Sequence, residues 1–213
     1  METRIVKVHF ETPDRSTLKA VSRMLVDGGV CVLPTDTIYG LHCRADRPDA
    51  VRDLLQLKCR PADKPMVVLV PSPDFPAKAG IPVPPIARRL MDKFWPGPLT
   101  LVLPDPGVFP PEVTAGLPSV ALRYPGYPIL QKILEYAGVP LVSTSVNISG
   151  EEPLQTVEEI IRRFGGRVRG ILDAGALEPR RPSTLVSLVE TPPRVIREGA
   201  IPASFIHLDP VDS

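Results

Sequence analysis

Aromatic residues make up only 5% of this 213-residue chain, histidine and cysteine occur three times each, and 25 basic residues stand against 24 acidic ones. Each shortage excludes something. A formal charge of +1 gives no global field to draw the chain onto nucleic acid, so any basic site must be local. Cys31, Cys43 and Cys59 are odd in number and form no CxxC pair, which points to reduced thiols and away from a disulfide framework. Cys43 stands beside His42, but Cys59 is too far along the chain to complete a recognised zinc-ligand spacing. His9, His42 and His207 lie near no serine in a strained elbow setting, which removes a Ser-His-Asp triad. Walker A, GxGxxG, HExxH and GxSxG patterns are absent. No apolar run approaches the roughly 20 residues that a membrane span needs. The opening "METRIVKVHFETPDRS" has neither the apolar core of a secretory signal nor the acid-poor bias of a transit peptide. A cytoplasmic protein without membrane attachment is the expectation.

What is present is a core and its punctuation. At 43% apolar the chain can bury a substantial interior. Its 28 prolines are scattered between apolar segments, where they read as turn and boundary markers. "RIVKVHF" alternates as an opening strand, and "STLKAVSRMLVDGG" places Leu18, Val21 and Leu25 at helical spacing before Gly28 and Gly29 end it. "VCVLP" is a short β-rich run. "PDAVRDLLQLK" puts Pro48 in a first turn and Val51, Leu54 and Leu55 on one face of a helix ending near Lys58. Strand "MVVLV", helix "PPIARRLMDKFW", strands "LTLVLP" and "SVALR", helix "PILQKILEYAG" and strand "PLVSTS" follow. Thr156 and Glu159 form a capping box for "VEEIIRRF", and "GILDAG", "STLVSLV" and "RVIREG" close the chain as three short strands. Interleaved strands and helices predict an α/β fold, and the close spacing of the last strands predicts a mixed sheet. One domain over residues 1–202 and a loosely ordered tail over 203–213 are expected.

The chemistry-bearing residues gather at strand ends: "PTDTIYG", "KCRPADKP", Thr100, "LRYP", "STSVNISG", "PST" and "IREG". Ligands of open α/β sheets bind where such ends converge, so these segments are candidates for one site. Each alone has a bland reading. Thr35 and Thr37 can cap a turn, Arg123 can be a surface charge, and Ser143, Ser145 and Asn147 suit Asx or ST turns. Lys58, Arg60 and, a little beyond, Lys64 can compensate a helix dipole, worth about 0.3–1 kcal/mol, or form a polyphosphate clamp of point charge and guanidinium fork.

Taken in order, "PTDTIYGL", the Lys-x-Arg of "KCR" followed by "KPM", "WPGPLTLVL", "ALRYP", "STSVN" and "PSTLV" before "IREG" resemble the YrdC family of threonylcarbamoyl-AMP synthases. The resemblance covers nearly the whole chain. It implies a single-domain YrdC-like twisted mixed sheet flanked by helices, with a basic concave cavity, of the short TsaC type. It implies an L-threonylcarbamoyladenylate synthase, a nucleotidyltransferase that condenses L-threonine, bicarbonate and ATP to threonylcarbamoyl-AMP and pyrophosphate for tRNA threonylcarbamoyladenosine modification. Carried over by position, Thr35, Thr37, Tyr39, Arg123 and Ser143 belong to the threonine pocket. Lys58, Arg60, Lys64, Thr100, Ser145, Asn147, Ser183 and Arg197 hold the nucleotide, with Lys58 and Arg60 catalytic. Asp36 is read only as a holder of its turn. No protein metal site is implied, and Mg2+ rides on ATP. A transient contact with the downstream tRNA threonylcarbamoyl transferase is implied, with weak or no direct tRNA binding.

Four positions depart from the family pattern: His42 and Arg44 stand where relatives often have small residues, Cys59 replaces a common glycine, and Glu198 a frequent proline. Two other readings stay open. A concave face can bind double-stranded RNA or a tRNA arm, for which "RRFGGRVRG" and "EPRR" supply local charge. A YrdC-like domain can also serve carbamoyl transfer of the hydrogenase-maturation type, although this chain has no room for that enzyme's additional regions.

Overall fold

Ten strands and seven helices alternate along the chain in a computed structural model that describes residues 2–8, 13–177 and 180–208. The strands are β1 (Arg4–Lys7), β2 (Cys31–Leu33), β3 (Gly40–Arg44), β4 (Val67–Leu69), β5 (Leu99–Pro104), β6 (Ser119–Arg123), β7 (Leu141–Ser145), β8 (Gly170–Asp173), β9 (Thr184–Ser187) and β10 (Arg194–Arg197). The helices are α1 (Arg15–Val26), α2 (Pro48–Lys58), α3 (Phe75–Lys78), α4 (Pro85–Phe94), α5 (Pro111–Thr114), α6 (Pro128–Ala137) and α7 (Val157–Phe164). The scattered prolines do mark boundaries. Pro48, Pro85, Pro111 and Pro128 each open a helix, where the missing N–H costs nothing because no intrahelical acceptor exists for it. Asp14 caps α1 through the Thr17 amide, and Thr156 and Glu159 make the reciprocal capping box of α7.

All ten strands form one sheet in the order β1-β8-β2-β3-β7-β4-β6-β5-β9-β10. It is mixed, as the spacing implied: β2 is parallel to β8 and β4 to β6, whereas β3 is antiparallel to both β2 and β7, and β9 to β10. β3 was not foreseen. Its "GLHCR" carries no polar alternation because four of its five residues are buried. The four-residue helices α3 and α5 were also missed, being too short to show a period. His9 lies outside the described residues.

Side chains alternate across a strand, and that alternation sorts the core into two layers. Cys31, Leu33, Leu69 and Leu141 pack on one face against Leu18, Val21 and Leu25 of α1 and Ile129, Leu130, Ile133 and Leu134 of α6. Val32, Val68 and Val142 point the other way, into a larger cluster with residues of α2, α4 and α7. Helices α1 and α6 contact each other closely but cover only part of their face. Next to them, Ser143 and Ser145 of β7, Val67 of β4, Ser119 and Ala121 of β6, Val102 of β5 and Leu185 and Ser187 of β9 form a floor that no helix among the described residues covers.

Within the segment expected as a loose tail, Ile206 is buried in the larger core, and residues 209–213 lie outside the described residues. Thr184 anchors the approach to it. Its fully buried hydroxyl donates to the Ile201 carbonyl (2.6 Å) and accepts from the Gly199 and Ile201 amides (2.9 and 3.0 Å). Thr184→Val keeps the shape and strands those buried groups, which is expected to cost about 1–3 kcal/mol. A thermal or urea melt reads this directly, and an unchanged midpoint would refute the role.

Candidate functional site

The uncovered floor lies in a cavity of about 930 Å3, reached by Arg60, Arg123, Arg180 and Arg197 and by the carboxylates Glu152 and Glu190. The stretch that follows β2 builds one wall. Thr35 Oγ1 accepts from the amides of Thr37 and Ile38 (3.0 and 3.1 Å), donates to the Ile38 carbonyl (2.7 Å) and lies 2.9 Å from Thr37 Oγ1. This is the bland reading realised, an ST turn, but Thr35 and Thr37 also face the cavity. Tyr39 contributes its ring to the wall. Its hydroxyl is committed elsewhere, donating to the Gly175 carbonyl (2.8 Å) and accepting from the Ala174 amide (3.0 Å).

Asp36 does far more than hold a turn. Its carboxylate pairs with Arg123 Nη2 and accepts from the Gly126 amide (3.0 Å), and both side chains of the pair are only 7% exposed. Arg123 Nε donates to the Gly97 carbonyl (3.0 Å), so Nη1 is the nitrogen of this cavity-lining arginine left outside those two contacts. The fit at Gly126 is tight: a β-carbon there would sit 3.1 Å from both Asp36 Oδ2 and Gly97 Cα. Arg180, read from sequence only as local surface charge, sends Nη1 to the Asp36 carbonyl (3.4 Å).

Lys58 and Arg60 part company. Lys58 lies on the buried face of α2, 1% exposed, and its ammonium donates to the Ser145 carbonyl (2.5 Å), the Asn147 carbonyl (3.0 Å) and Asn147 Oδ1 (2.6 Å). Three protons meet three oxygens, and the side chain does not reach the cavity lining. Of the two cations expected to form a clamp, Arg60 lines the cavity and Lys58 stands behind its wall. The reason is backbone direction. Cys59 ends α2 in the left-handed region at φ 50°, a conformation a glycine would adopt more easily, and this turns Arg60 away from the helix face that buries Lys58. Arg60 Nη2 donates to the Pro65 carbonyl (3.1 Å), while its Nε is buried and has no hydrogen-bond partner among the described residues. Burial pulls the pKa of Arg60 down and that of Lys58 to about 8, the Arg60 charge adding to the latter.

The remaining expected residues fall in two groups. Ser143, Ser145, Ser183 and Arg197 line the cavity. Arg197 Nη2 donates to the Ser183 carbonyl (2.9 Å), and its pKa is lowered by burial and then by Arg123 across the cavity. Thr100 and Asn147 stand one layer back. Thr100 Oγ1 lies 2.8 Å from Ser183 Oγ, and Asn147 Oδ1 accepts from Ser145 Oγ (2.6 Å) while its Nδ2 donates to the Glu151 carbonyl (2.6 Å). Lys64 is exposed and contributes only its carbonyl, 3.5 Å from Arg60 Nη2. Ser143 Oγ is 3.1 Å from Nε2 of the fully buried His42. Sequence reasoning missed the floor residues Ser119 and Ser187 and the rim residues Leu117, Val189 and Ile196, each more than 40% exposed. Small residues on alternate positions of "SVALR" were the available signal.

Among the described residues no group of three or more His, Cys, Asp or Glu converges, and no helix is long and apolar enough to cross a membrane. A family model named Sua5_yciO_yrdC and described as "Telomere recombination" matches residues 23–199. A threonylcarbamoyl-AMP synthase of Pyrococcus abyssi is 34% identical over 190 residues, 89% of this chain and 56% of that protein. One of Bacillus subtilis is 36% identical over 179 residues, 84% of this chain and 52% of the relative. The chain thus spans about half the length of these two relatives. The crystal structure of P. abyssi Sua5 complexed with L-threonine superposes with a TM-score of 0.88 at 34% identity, covering 96% of this chain and 60% of that one.

Lys58 titration tests the buttress. Below pH 8 the ammonium serves all three oxygens; as pH rises through about 8 one of them loses its donor. NMR of lysine labelled at its ε-carbon is expected to give a Lys58 midpoint near 8, moved upward in Arg60→Ala because a neighbouring positive charge is gone. A midpoint that Arg60→Ala leaves in place would show that the two cations do not sense each other.

Proposed function

The chain belongs to the Sua5/YciO/YrdC family, and from that membership and the cavity we propose that it is an L-threonylcarbamoyladenylate synthase. The observation that carries the reading is the meeting, in one cavity over an uncovered half-sheet, of several guanidinium groups with hydroxyls from separate strands and loops. Such a set suits an amino-acid carboxylate and a polyphosphate held side by side.

The chemistry asks for little more. L-Threonine and bicarbonate give a carbamate, water and a proton, and the carbamate oxygen then attacks the α-phosphorus of ATP with departure of pyrophosphate. The nucleophile is already anionic, so the protein's contribution is orientation, exclusion of water and charge stabilisation. Arg123, held by Asp36 and Gly97 with Nη1 to spare, takes the threonine carboxylate. Thr35 and Thr37 form the adjoining wall. Arg60, with its unpartnered Nε, and Arg197 beside Ser183 hold the phosphates. Lys58 acts through Ser145 and Asn147, fixing the hydroxyl of Ser145 that faces the nucleotide. Thr100 orients Ser183 in the same way. Mg2+ enters with ATP as part of the substrate; the described residues gather no carboxylate cage for it, and Mg2+ commonly relies on substrate phosphates. The product then serves tRNA threonylcarbamoyladenosine modification in the cytoplasm, with a transient contact to the downstream tRNA threonylcarbamoyl transferase as part of the same proposal.

Pyrophosphate release from ATP, with threonine and bicarbonate omitted in turn, tests the reading. Release is expected only with both present, and release indifferent to both omissions would sink it. Arg60→Ala removes a charge-assisted contact worth about 1.5–3 kcal/mol, so turnover is expected to fall about 10- to 150-fold. Wild-type turnover in that variant would remove Arg60 from the phosphate site.

A further inference from the structure

Among the described residues, Arg180 alone lines two cavities. The larger is the one over the uncovered floor. The second, of about 460 Å3, lies behind Asp36 and is lined also by Gly97, Gly126 and Arg181. The buried pair of Asp36 and Arg123 stands between them, with Arg123 in the first lining and Asp36 in the second. Arg180 Nη1 donates to the Asp36 carbonyl (3.4 Å), which sets this guanidinium beside the turn that presents Thr35 and Thr37. Tyr127 is near as well: burial raises the pKa of its phenol, and the charge of Arg180 opposes the rise. Arg181 is exposed on the second cavity, 3.7 Å from Glu198. The arginines of "EPRR" thus belong to the walls of these cavities and not to a distant patch.

We propose that Arg180 holds bicarbonate beside the amino group of L-threonine and keeps the carboxylate of the resulting carbamate in place, with the second cavity as the side from which the anion arrives. The argument is one of charge. Once the threonine ammonium has lost a proton to solvent, its nitrogen attacks the bicarbonate carbon. An N–C bond forms, a C–O bond breaks, and the departing oxygen leaves as water with an amine proton. One negative charge enters on bicarbonate and one remains on the carbamate, so the same group needs a cation from its arrival until its oxygen attacks ATP. The other guanidiniums of the cavity have their tasks. Arg123 offers Nη1 to the threonine carboxylate, and Arg60 and Arg197 serve the phosphates. The amino group of threonine is one carbon from that carboxylate, and Arg180 borders the same wall. A planar guanidinium meets a planar carbonate group through two parallel hydrogen bonds. The second cavity adds an approach. A small anion entering through the main cavity competes with the triphosphate for Arg60 and Arg197, whereas one entering behind Asp36 meets Arg181 and then Arg180, both of them exposed.

This inference rests on the synthase reading, and the measurements separate the two. The first is the initial rate of pyrophosphate release with each substrate varied in turn, carbonic anhydrase being present to keep carbon dioxide and bicarbonate at equilibrium. Arg180→Ala is expected to raise the KM for bicarbonate about 10- to 150-fold, as for loss of a charge-assisted contact, with the KM values for threonine and ATP little changed. Arg180→Lys, which keeps the charge without the fork, is expected to recover part of the loss, and Arg181→Ala to raise the same KM by less. An unchanged bicarbonate KM in folded Arg180→Ala overturns the proposal. So does a larger rise for threonine than for bicarbonate, since that is what loss of the Asp36 contact alone would do to the threonine wall. The second measurement is 15N NMR of arginine-labelled wild type bound to threonine, with the Arg180 Nε signal assigned by its disappearance in Arg180→Lys. Added bicarbonate is expected to shift that signal, and a signal indifferent to bicarbonate overturns the proposal even where Arg180→Ala fails to fold. Pyrophosphate release by wild type that ignores omission of both threonine and bicarbonate would instead overturn the synthase reading, and with it the ligand assigned to Arg180.

Discussion

The buried pair of Asp36 and Arg123 ties together the parts that make the cavity. A carboxylate and a guanidinium each 7% exposed would be costly alone, and removing either would leave an uncompensated charge in a poorly solvated place. The pair is held from both sides. The Gly126 amide completes the carboxylate and the Gly97 carbonyl completes the guanidinium, so the stretch after β2, the entry to β5 and the exit of β6 are fixed relative to one another. The orientation of Arg123, and hence what its remaining nitrogen can bind, is a consequence of that arrangement.

A similar logic recurs behind the other wall. The groups that line the cavity are seldom the ones that decide their own geometry: Asn147, itself held by Lys58, sits behind the Ser145 hydroxyl, Thr100 behind Ser183 and His42 behind Ser143. Each lining hydroxyl has a buried partner that uses part of its hydrogen-bonding capacity and so sets the part left over. Gly199 serves the same purpose through the backbone. A β-carbon there would fall 2.2 Å from the Pro182 carbonyl, and the close approach it permits keeps Arg197 against Ser183.

Much of this was legible in the sequence, and the illegible parts have physical causes. Helical periodicity and the Thr156 and Glu159 capping box located α1, α2, α4, α6 and α7, because those helices bury one face and expose the other. β3 escaped because burial on both faces erases alternation, and α3 and α5 because a single turn has no period. At the site, residue types were readable but sidedness was not. Lys58 and Arg60 look equivalent two residues apart, and only the left-handed turn at Cys59 reveals that one faces the core and the other the cavity. Asp36 reads from sequence only as a holder of its turn because its partner is 87 residues away, a distance that no local pattern spans.

The strict alternation along the central strands has a consequence for how such a protein can change. Ser119 and Ala121, Ser143 and Ser145, and Leu185 and Ser187 face the cavity, while Val120, Leu122, Val142 and Val186 between them pack the opposite layer. Recognition and stability are therefore written on alternate letters of the same segments. Mutational drift can revise one set while the other stays intact, so the floor can acquire new substrate preferences without the scaffold having to be rebuilt.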